Sequence, residues 1–454
     1  MKLNKSLIVP ALLGAMVLTG CSKDDFRDLN QNPTAVVTPN PGYLFAQCVN
    51  EFEPQGYLLY YYNAAMTYSW TQWGVPTSGM NNAITSTTNN GDQGGKSIST
   101  LRFVRDIENY RNSLGEEGEK FAAYQAACQV LTIYLGIFDS DMFGDIPYTE
   151  ACKAAYGGTL TPAYDSMESL YTLWLQELDQ CVADFQKGGQ IFASSQDVVF
   201  NGDLKKWAKF ANSLKLRIAV RLLAQKKSDA LAVAAAVKSS SAGMITEVQD
   251  DVLFNKGLQG GSMSDDYKYH WSNGFLDGTG ASQRVVEFMV NNLDPRVRFF
   301  YEKNDWNSEI VKAYYERGKE IPAFIEANVN FEVVNGKKVF KGWKGAGEPW
   351  VRYYGLPLDY NSQSDPKFDW YYRYSNNKIA KEDGTSEKSY MTWSGFNHMM
   401  VIGRGYNPSV PTVPGDVWTQ SFQPRPWYGL YLGAAEVNLY LAEFAMLNNN
   451  ADEA

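Results

Sequence analysis

Histidine is nearly absent from this chain: 454 residues contain only His270 and His398. That excludes an HExxH zinc hydrolase and any multi-histidine metal centre. It also leaves no workable Ser–His–Asp order, and no GxSxG occurs. Positive charge is in deficit, with 41 Lys and Arg against 50 Asp and Glu and a net charge of −9. No basic stripe offsets this, so a nucleic-acid binder is excluded. Cysteine is scarce. Beyond Cys21, only Cys48, Cys128, Cys152 and Cys181 occur, with no CxxC and no disulfide-framework spacing. They read as buried thiols, with a single bridge as the alternative. The apolar run Leu7–Leu18 falls short of the roughly 20 residues that a membrane-spanning helix needs.

Apolar residues are plentiful at 44 %, and only 20 % are charged, which supports a large core and excludes global disorder. At roughly 100–200 residues per domain, the length fits about two to four domains or one large globule. Aromatics are abundant: 12 Trp, 29 Tyr and 23 Phe.

The N-terminus reads as an address. Lys2 and Lys5 precede the apolar run, which ends Leu18-Thr19-Gly20-Cys21. Charge, run length and box together read as a lipoprotein signal over 1–20, with Cys21 lipidated as the mature N-terminus. Several acyl chains, at about 0.8 kcal/mol per buried CH₂, hold a protein firmly on a bilayer. Ser22-Lys23-Asp24-Asp25 resembles the acidic export tag of some outer-membrane lipoproteins. Residues 21–30 read as lipidated terminus and stalk, and 31–454 as the folded domain.

Helical periodicity dominates the first half. It predicts a helix over 117–142, a second opening at Asp165 with Glu168 completing a capping box, a third from Asp203, and a short one near 229–238. The third has an apolar stripe of Leu204, Trp207, Phe210, Leu214, Ile218 and Leu222. Its other face carries Lys205, Lys209, Arg217 and Arg221. After residue 245, Gly, Asn, Asp and aromatics take over, with a helix at Ser282–Asn291. Asn335-Gly336 marks a hairpin over Phe331–Phe340. A last helix is expected at 431–447. It is apolar on more than one face, and Ala451-Asp452-Glu453-Ala454 looks like the start of another helix. The chain is therefore expected to be cut short at its C-terminus, with an uncovered apolar surface beside 436–447.

Several segments, in order, resemble the SusD/RagB family of surface glycan-binding lipoproteins. They are the lipobox with its acidic tag, Leu29-Asn30-Gln31-Asn32-Pro33-Thr34, Phe143-Gly144-Asp145-Ile146-Pro147-Tyr148, and Tyr164-Asp165-Ser166. The most specific is the run from Gly202-Asp203-Leu204 through Trp207 to Leu216-Arg217, followed by Asp294-Pro295-Arg296 and by Ala435-Glu436 through Phe444. The resemblance implies a mainly α fold. A tetratricopeptide-like helical scaffold would occupy about 31–245 and 431–454, and a loop-rich ligand-binding region with minor β hairpins about 246–430. It implies a non-enzymatic binder that uses no cofactor. Its partner would be a SusC-like, TonB-dependent outer-membrane barrel, to which it delivers oligosaccharide, or peptide as in some members. A glycoside hydrolase and a structural surface protein are the readings from other classes; no pair of acids is singled out for the former.

A sugar binder needs flat aromatic faces beside polar readers. Four clusters qualify: Trp70 and Trp73 with Asn81 and Asn82; Asp266, Tyr267, Tyr269, His270 and Trp271; Trp306 with Asp305 and Asn307; and Trp343, Trp350, Tyr353 and Tyr354 with Arg352. Each aromatic has core packing as its competing explanation, and the expectation is that at least two clusters converge on one exposed surface. Asp139–Glu150 imitates a calcium loop, with acids at positions one, three, seven and twelve, but Phe143 stands at position five. A turn between helices explains it better. Gly91-Asp92-Gln93-Gly94-Gly95-Lys96-Ser97 imitates a phosphate loop with its first glycine one place late and no strand before it.

Overall fold

A computed structural model describes residues 39–52, 71–76, 95–258, 279–348, 350–357, 364–372, 378–380, 387–397, 426–450 and 452. The protein is mainly helical, with a tetratricopeptide-like scaffold and small sheets. The scaffold helices are α1 (Pro41–Phe52), α2 (Lys96–Leu114), α3 (Ala122–Phe143), α4 (Met167–Gln186), α5 (Leu204–Leu222) and α6 (Lys227–Ser239). From α2 onward each packs on the next, and α1 packs on α2 and α3. One large core joins them, including Phe45, Phe52, Leu131, Trp174, Trp207 and Phe210. Gly136 lets α3 approach α4 closely, because a Cβ there would lie 2.8 Å from the Trp174 ring.

The predicted helix at 117–142 begins later, at Ala122, after a tight turn over Gly115–Phe121, and α2 precedes it. The periodic pattern did not reveal α2, whose buried Leu101, Phe103, Val104 and Ile107 form a narrow stripe among charged residues. The capping box at Asp165 does not form. Ser166 caps α4 by accepting from the Ser169 N–H. Asp165 instead takes the N–H groups of Tyr148 and Thr149 at 3.0 and 2.8 Å, and Glu168 pairs with Lys226. Asp203 does cap α5, accepting from Lys205 and Lys206.

Four of the six basic residues of α5 are joined to acids from other parts of the chain. Lys209 reaches Asp250, Lys215 reaches Asp179, Arg217 reaches Glu436 and Arg221 reaches Asp141. At the centre of the apolar stripe, Trp207 is fully buried and its Nε1–H donates to Asp197 Oδ2 at 2.8 Å.

The second region holds α7 (Gln283–Asn291), α8 (Val297–Phe300), α9 (Ser308–Glu316), α10 (Ala323–Glu326) and α11 (Asp369–Tyr372) among short sheets. The sheets in the described residues are two-stranded and antiparallel. β1 (Gly74–Pro76) pairs with β3 (Thr279–Ala281), β2 (Val252–Leu258) with β8 (Pro426–Leu432), β4 (Val329–Val334) with β5 (Lys337–Trp343), and β6 (Lys378–Ala380) with β7 (Glu387–Ser389). Asn335 and Gly336 join β4 to β5 with φ of 52° and 77°, the left-handed pair that tight hairpins favour. Separate small cores lie here, one around Trp306 and Tyr314 and one around Tyr301 and Met289. Tyr431 and Leu432, expected in the last helix, belong to β8. The helix α12 (Ala434–Leu447) buries Ala434, Val437, Phe444 and Ala445 and leaves Leu439 and Met446 exposed.

Candidate functional site

Trp73 stands just before β1, where Gln72 takes a left-handed φ of 62°, a conformation uncommon outside glycine. The β1–β3 register, Gly74 opposite Ala281 and Val75 opposite Gly280, carries this segment to the start of α7. The Trp73 carbonyl accepts from Ser282 N–H at 3.3 Å and from Tyr301 Oη at 3.4 Å. The backbone is thus held from two sides while the side chain stays 40 % exposed. Phe300 meets the indole edge-on at 5.8 Å and 76°, and it and Phe299 are themselves exposed. Beside them Arg284 donates to the Gln72 side-chain carbonyl at 2.8 Å. The result is an exposed aromatic surface bordered by a guanidinium and an amide.

Trp350 does not contribute an open face. It is half-buried and packs against the cluster that contains Tyr301, Tyr353 and Phe396. Of the predicted aromatics, Trp73 thus touches this cluster through its carbonyl bond to Tyr301, and Trp350 packs on the same cluster. Trp343 and Trp306 go elsewhere, to the cluster of Tyr314, Tyr315 and Ile325.

Trp306 is a correction. It is fully buried, with its ring 4.6 Å from Tyr314, so it offers no face to a ligand. Its polar neighbours serve the fold: Asn307 caps α9 by accepting from Ile310 N–H, and Asp305 accepts from Met391 N–H. Arg352 is likewise buried and donates to the Asn304 carbonyl. Tyr353 is buried, and Tyr354 donates to the Phe324 carbonyl at 2.7 Å. Trp343 is half-buried against Phe340, edge-on at 5.4 Å. Trp70, Asn81, Asn82, Asp266, Tyr267, Tyr269, His270 and Trp271 lie outside the described residues, as does Cys21. The sequence does not single out Phe300, Arg284 or Gln72. Gln72 precedes Trp73 directly but carries no signal of its own, while tertiary packing brings Arg284 and Phe300 to this surface.

Two positions after Tyr301, burial and then the Arg352 charge push the Lys303 ammonium down to about 7. Burial raises the Tyr353 hydroxyl to about 12.

Of the two imitation motifs, 139–150 lies within the described residues, whereas Gly91, Asp92, Gln93 and Gly94 of the other lie outside them. The carboxylates of 139–150 diverge: Asp139 accepts from Ser97 N–H at 2.8 Å and Oγ at 2.7 Å, and Asp141 takes Arg221. Asp145 accepts from Met167 N–H and Glu150 from Ala163 N–H. Calcium ligands must converge. The same Asp139 satisfies the start of α2, where a phosphate loop would place its anion. Among the described residues no group of three His, Cys, Asp or Glu is placed to hold a metal ion. Cys48, Cys128, Cys152 and Cys181 are free thiols, and all but Cys152 are buried.

Residues 97–322 match the SusD-like family described as "Starch-binding associating with outer membrane". The chain belongs to the SusD-like family. Members of this family bind substrate and are non-catalytic. Among solved structures, a chitin-binding protein is 17 % identical, with 91 % of this chain and 73 % of that one covered at a TM-score of 0.58. A SusD homologue from Parabacteroides distasonis is 18 % identical, with 90 % and 69 % covered at 0.55. Another from Bacteroides uniformis is 15 % identical, with 91 % and 67 % covered at 0.56. At these identities the likeness is one of fold. A search of curated protein sequences finds no match.

Proposed function

We propose that this chain captures an oligosaccharide on the Trp73–Phe300 surface and passes it to a SusC-like, TonB-dependent outer-membrane transporter, while lipid on Cys21 holds it at the cell surface. The observation that carries this reading is the exposed indole of Trp73, fixed through its backbone and flanked by Phe300 and the Arg284–Gln72 pair. A pyranose has one face of C–H groups that lies well on an aromatic ring, and its hydroxyls suit planar amide and guanidinium donors. The family description names starch, and one similar structure is a chitin-binding protein, so neutral glucan and chitin oligosaccharides are the first ligands to try. Affinity is modest, because sugars offer few apolar atoms and many hydroxyls to desolvate. Anchoring beside the barrel compensates by raising effective concentration.

The test uses the full chain with Cys21→Ser, screened against malto-, xylo- and chito-oligosaccharides and a peptide set. One glycan series binds, Trp73→Ala removes that binding, and no reducing sugar is released. A peptide hit with no glycan hit moves the ligand class to peptides. Binding unaffected by Trp73→Ala places the site elsewhere.

A further inference from the structure

A second set of exposed aromatics lies on the helical scaffold, away from Trp73. α1 begins at Pro41, with the Asn40 side chain accepting from Gly42 and Tyr43 N–H at 3.0 and 3.2 Å. Most aromatic mass of α1 is inward, with Phe45 and Phe52 buried. Tyr43 is the exception at 63 % exposed. Gln47, four residues on and also exposed, shares its face. Opposite stands Tyr156, on the tight turn Ala154–Tyr156 that closes at Gly157 with φ of 85°. Its ring is 44 % exposed, yet its hydroxyl is tied to Asp106 Oδ1 of α2 at 2.5 Å. Burial and this carboxylate raise the Tyr156 hydroxyl to about 12, so it stays protonated and the tie persists through the neutral range.

Tyr43, Gln47, Asp106 and Tyr156, with Asn40 and Leu44, line an open cleft of about 400 Å³. That lies within the roughly 300–1,000 Å³ typical of small-ligand sites. The lining is mostly apolar ring and chain, with a few polar groups and no cationic residue. An anion would meet the Asp106 carboxylate without a counter-charge. A purely apolar ligand would desolvate the Gln47 amide and Asp106 while adding no hydrogen bond to either. A neutral polyol with an apolar face satisfies both: its C–H face lies on tyrosine, and its hydroxyls donate to the carboxylate and exchange hydrogen bonds with the amide.

We infer that the cleft between α1 and the Tyr156 turn is a second carbohydrate subsite, taking a neutral pyranose unit between Tyr43 and Tyr156 with Asp106 and Gln47 reading hydroxyls. The ligand class is shared with the Trp73 reading, on which the choice of probes rests. The two surfaces have no residue in common. A second weak site on one body increases retention of a long glycan through effective concentration, without tightening either site.

Maltotriose and chitotriose, short probes, are titrated separately by calorimetry into the full chain carrying Cys21→Ser. One of them binds with a stoichiometry of two. Tyr43→Ala removes one equivalent, and Tyr156→Phe, which keeps the ring but frees Asp106, weakens that equivalent severalfold. Both variants keep the parent melting temperature within about 1–2 °C, since changes to exposed side chains rarely shift it further. Trp73→Ala removes the other equivalent. A single equivalent lost in Trp73→Ala and untouched by Tyr43→Ala overturns the cleft alone. A single equivalent lost only in Tyr43→Ala sustains the cleft and overturns the Trp73 surface. No heat from either probe at millimolar concentration overturns both.

Discussion

Arg217 and Glu436 lie 219 positions apart, and their side chains meet in a two-pronged ion pair. Nε donates to Oε1 and Nη2 to Oε2, each at 2.8 Å. Nη2 also donates to the Tyr431 carbonyl at 2.9 Å, and the guanidinium lies 4.7 Å from the centre of the Tyr134 ring. One side chain of α5 thereby holds α3, the end of β8 and the start of α12. Burial alone would lower the Arg217 pKa, but the facing Tyr134 and Glu436 keep it above its ordinary value.

Arg217→Ala leaves Glu436 and the Tyr431 carbonyl without that partner. Stability falls by about 2–3 kcal/mol, less than for a fully buried pair because Glu436 retains some solvent. Arg217→Lys, which keeps charge but not the fork, loses roughly half of that. Urea denaturation of both variants checks the order; equal stabilities would show that the fork geometry contributes nothing.

Trp207→Ala opens a cavity in the scaffold core beside Phe45, Phe185, Phe200 and Phe210. It also removes one donor from Asp197, which otherwise holds the turn at Val199, Phe200 and Gly202. The loss is about 3–5 kcal/mol. An unchanged melting temperature would mean that the α5 stripe faces no core.

Trp306→Ala and Trp73→Ala behave oppositely. The first costs about 3–5 kcal/mol, as a fully buried indole should. The second changes stability by about 1 kcal/mol or less and weakens glycan binding at least tenfold. Paired calorimetric and thermal measurements on the same preparations separate the roles.

Glu177, half-buried beside the core, is expected to make stability depend on pH. It accepts from Tyr148 Oη at 2.7 Å and from Gln129 Nε2 at 2.9 Å. Burial, the largest effect, raises its carboxyl above the usual range. A raised carboxyl binds its proton more tightly when folded. Its contribution is therefore fullest below the ordinary glutamate range and is lost as pH rises through the folded value. Glu177→Gln keeps both hydrogen bonds to oxygen and removes the titration. The difference in melting temperature between pH 5 and pH 8 narrows in this variant; an unchanged difference would assign the pH response to other groups.

Cys21→Ser tests the anchor read from the N-terminal sequence. The variant folds, with the parent melting temperature, and leaves the membrane fraction when expressed without a barrel partner. Retention under those conditions would refute lipidation at Cys21.

Much of the scaffold was legible because its causes are local. Asp203 accepts from N–H groups two and three positions on, and the three-and-four spacing from Trp207 to Leu214 defines one face without reference to the rest of the chain. Asn335-Gly336 carries its own turn geometry. The abundance of aromatics, the deficit of histidine and the ordered segments of the family were likewise readable along one dimension. What the aromatics do was not. Trp73 and Trp306 each stand among polar residues in the sequence, and one is exposed while the other is fully buried. The difference lies in what packs over each ring, and that depends on segments far away. β3 and α8 hold Trp73 by its backbone and leave its side chain open, whereas Tyr314 and the α9 core close over Trp306. Asp165 and Asp139 carry the same lesson for charge. Spacing offered a helix cap and a calcium ligand, but the tertiary fold brought the N–H groups of Tyr148 and Ser97 nearer, and a carboxylate pairs with the donors that reach it.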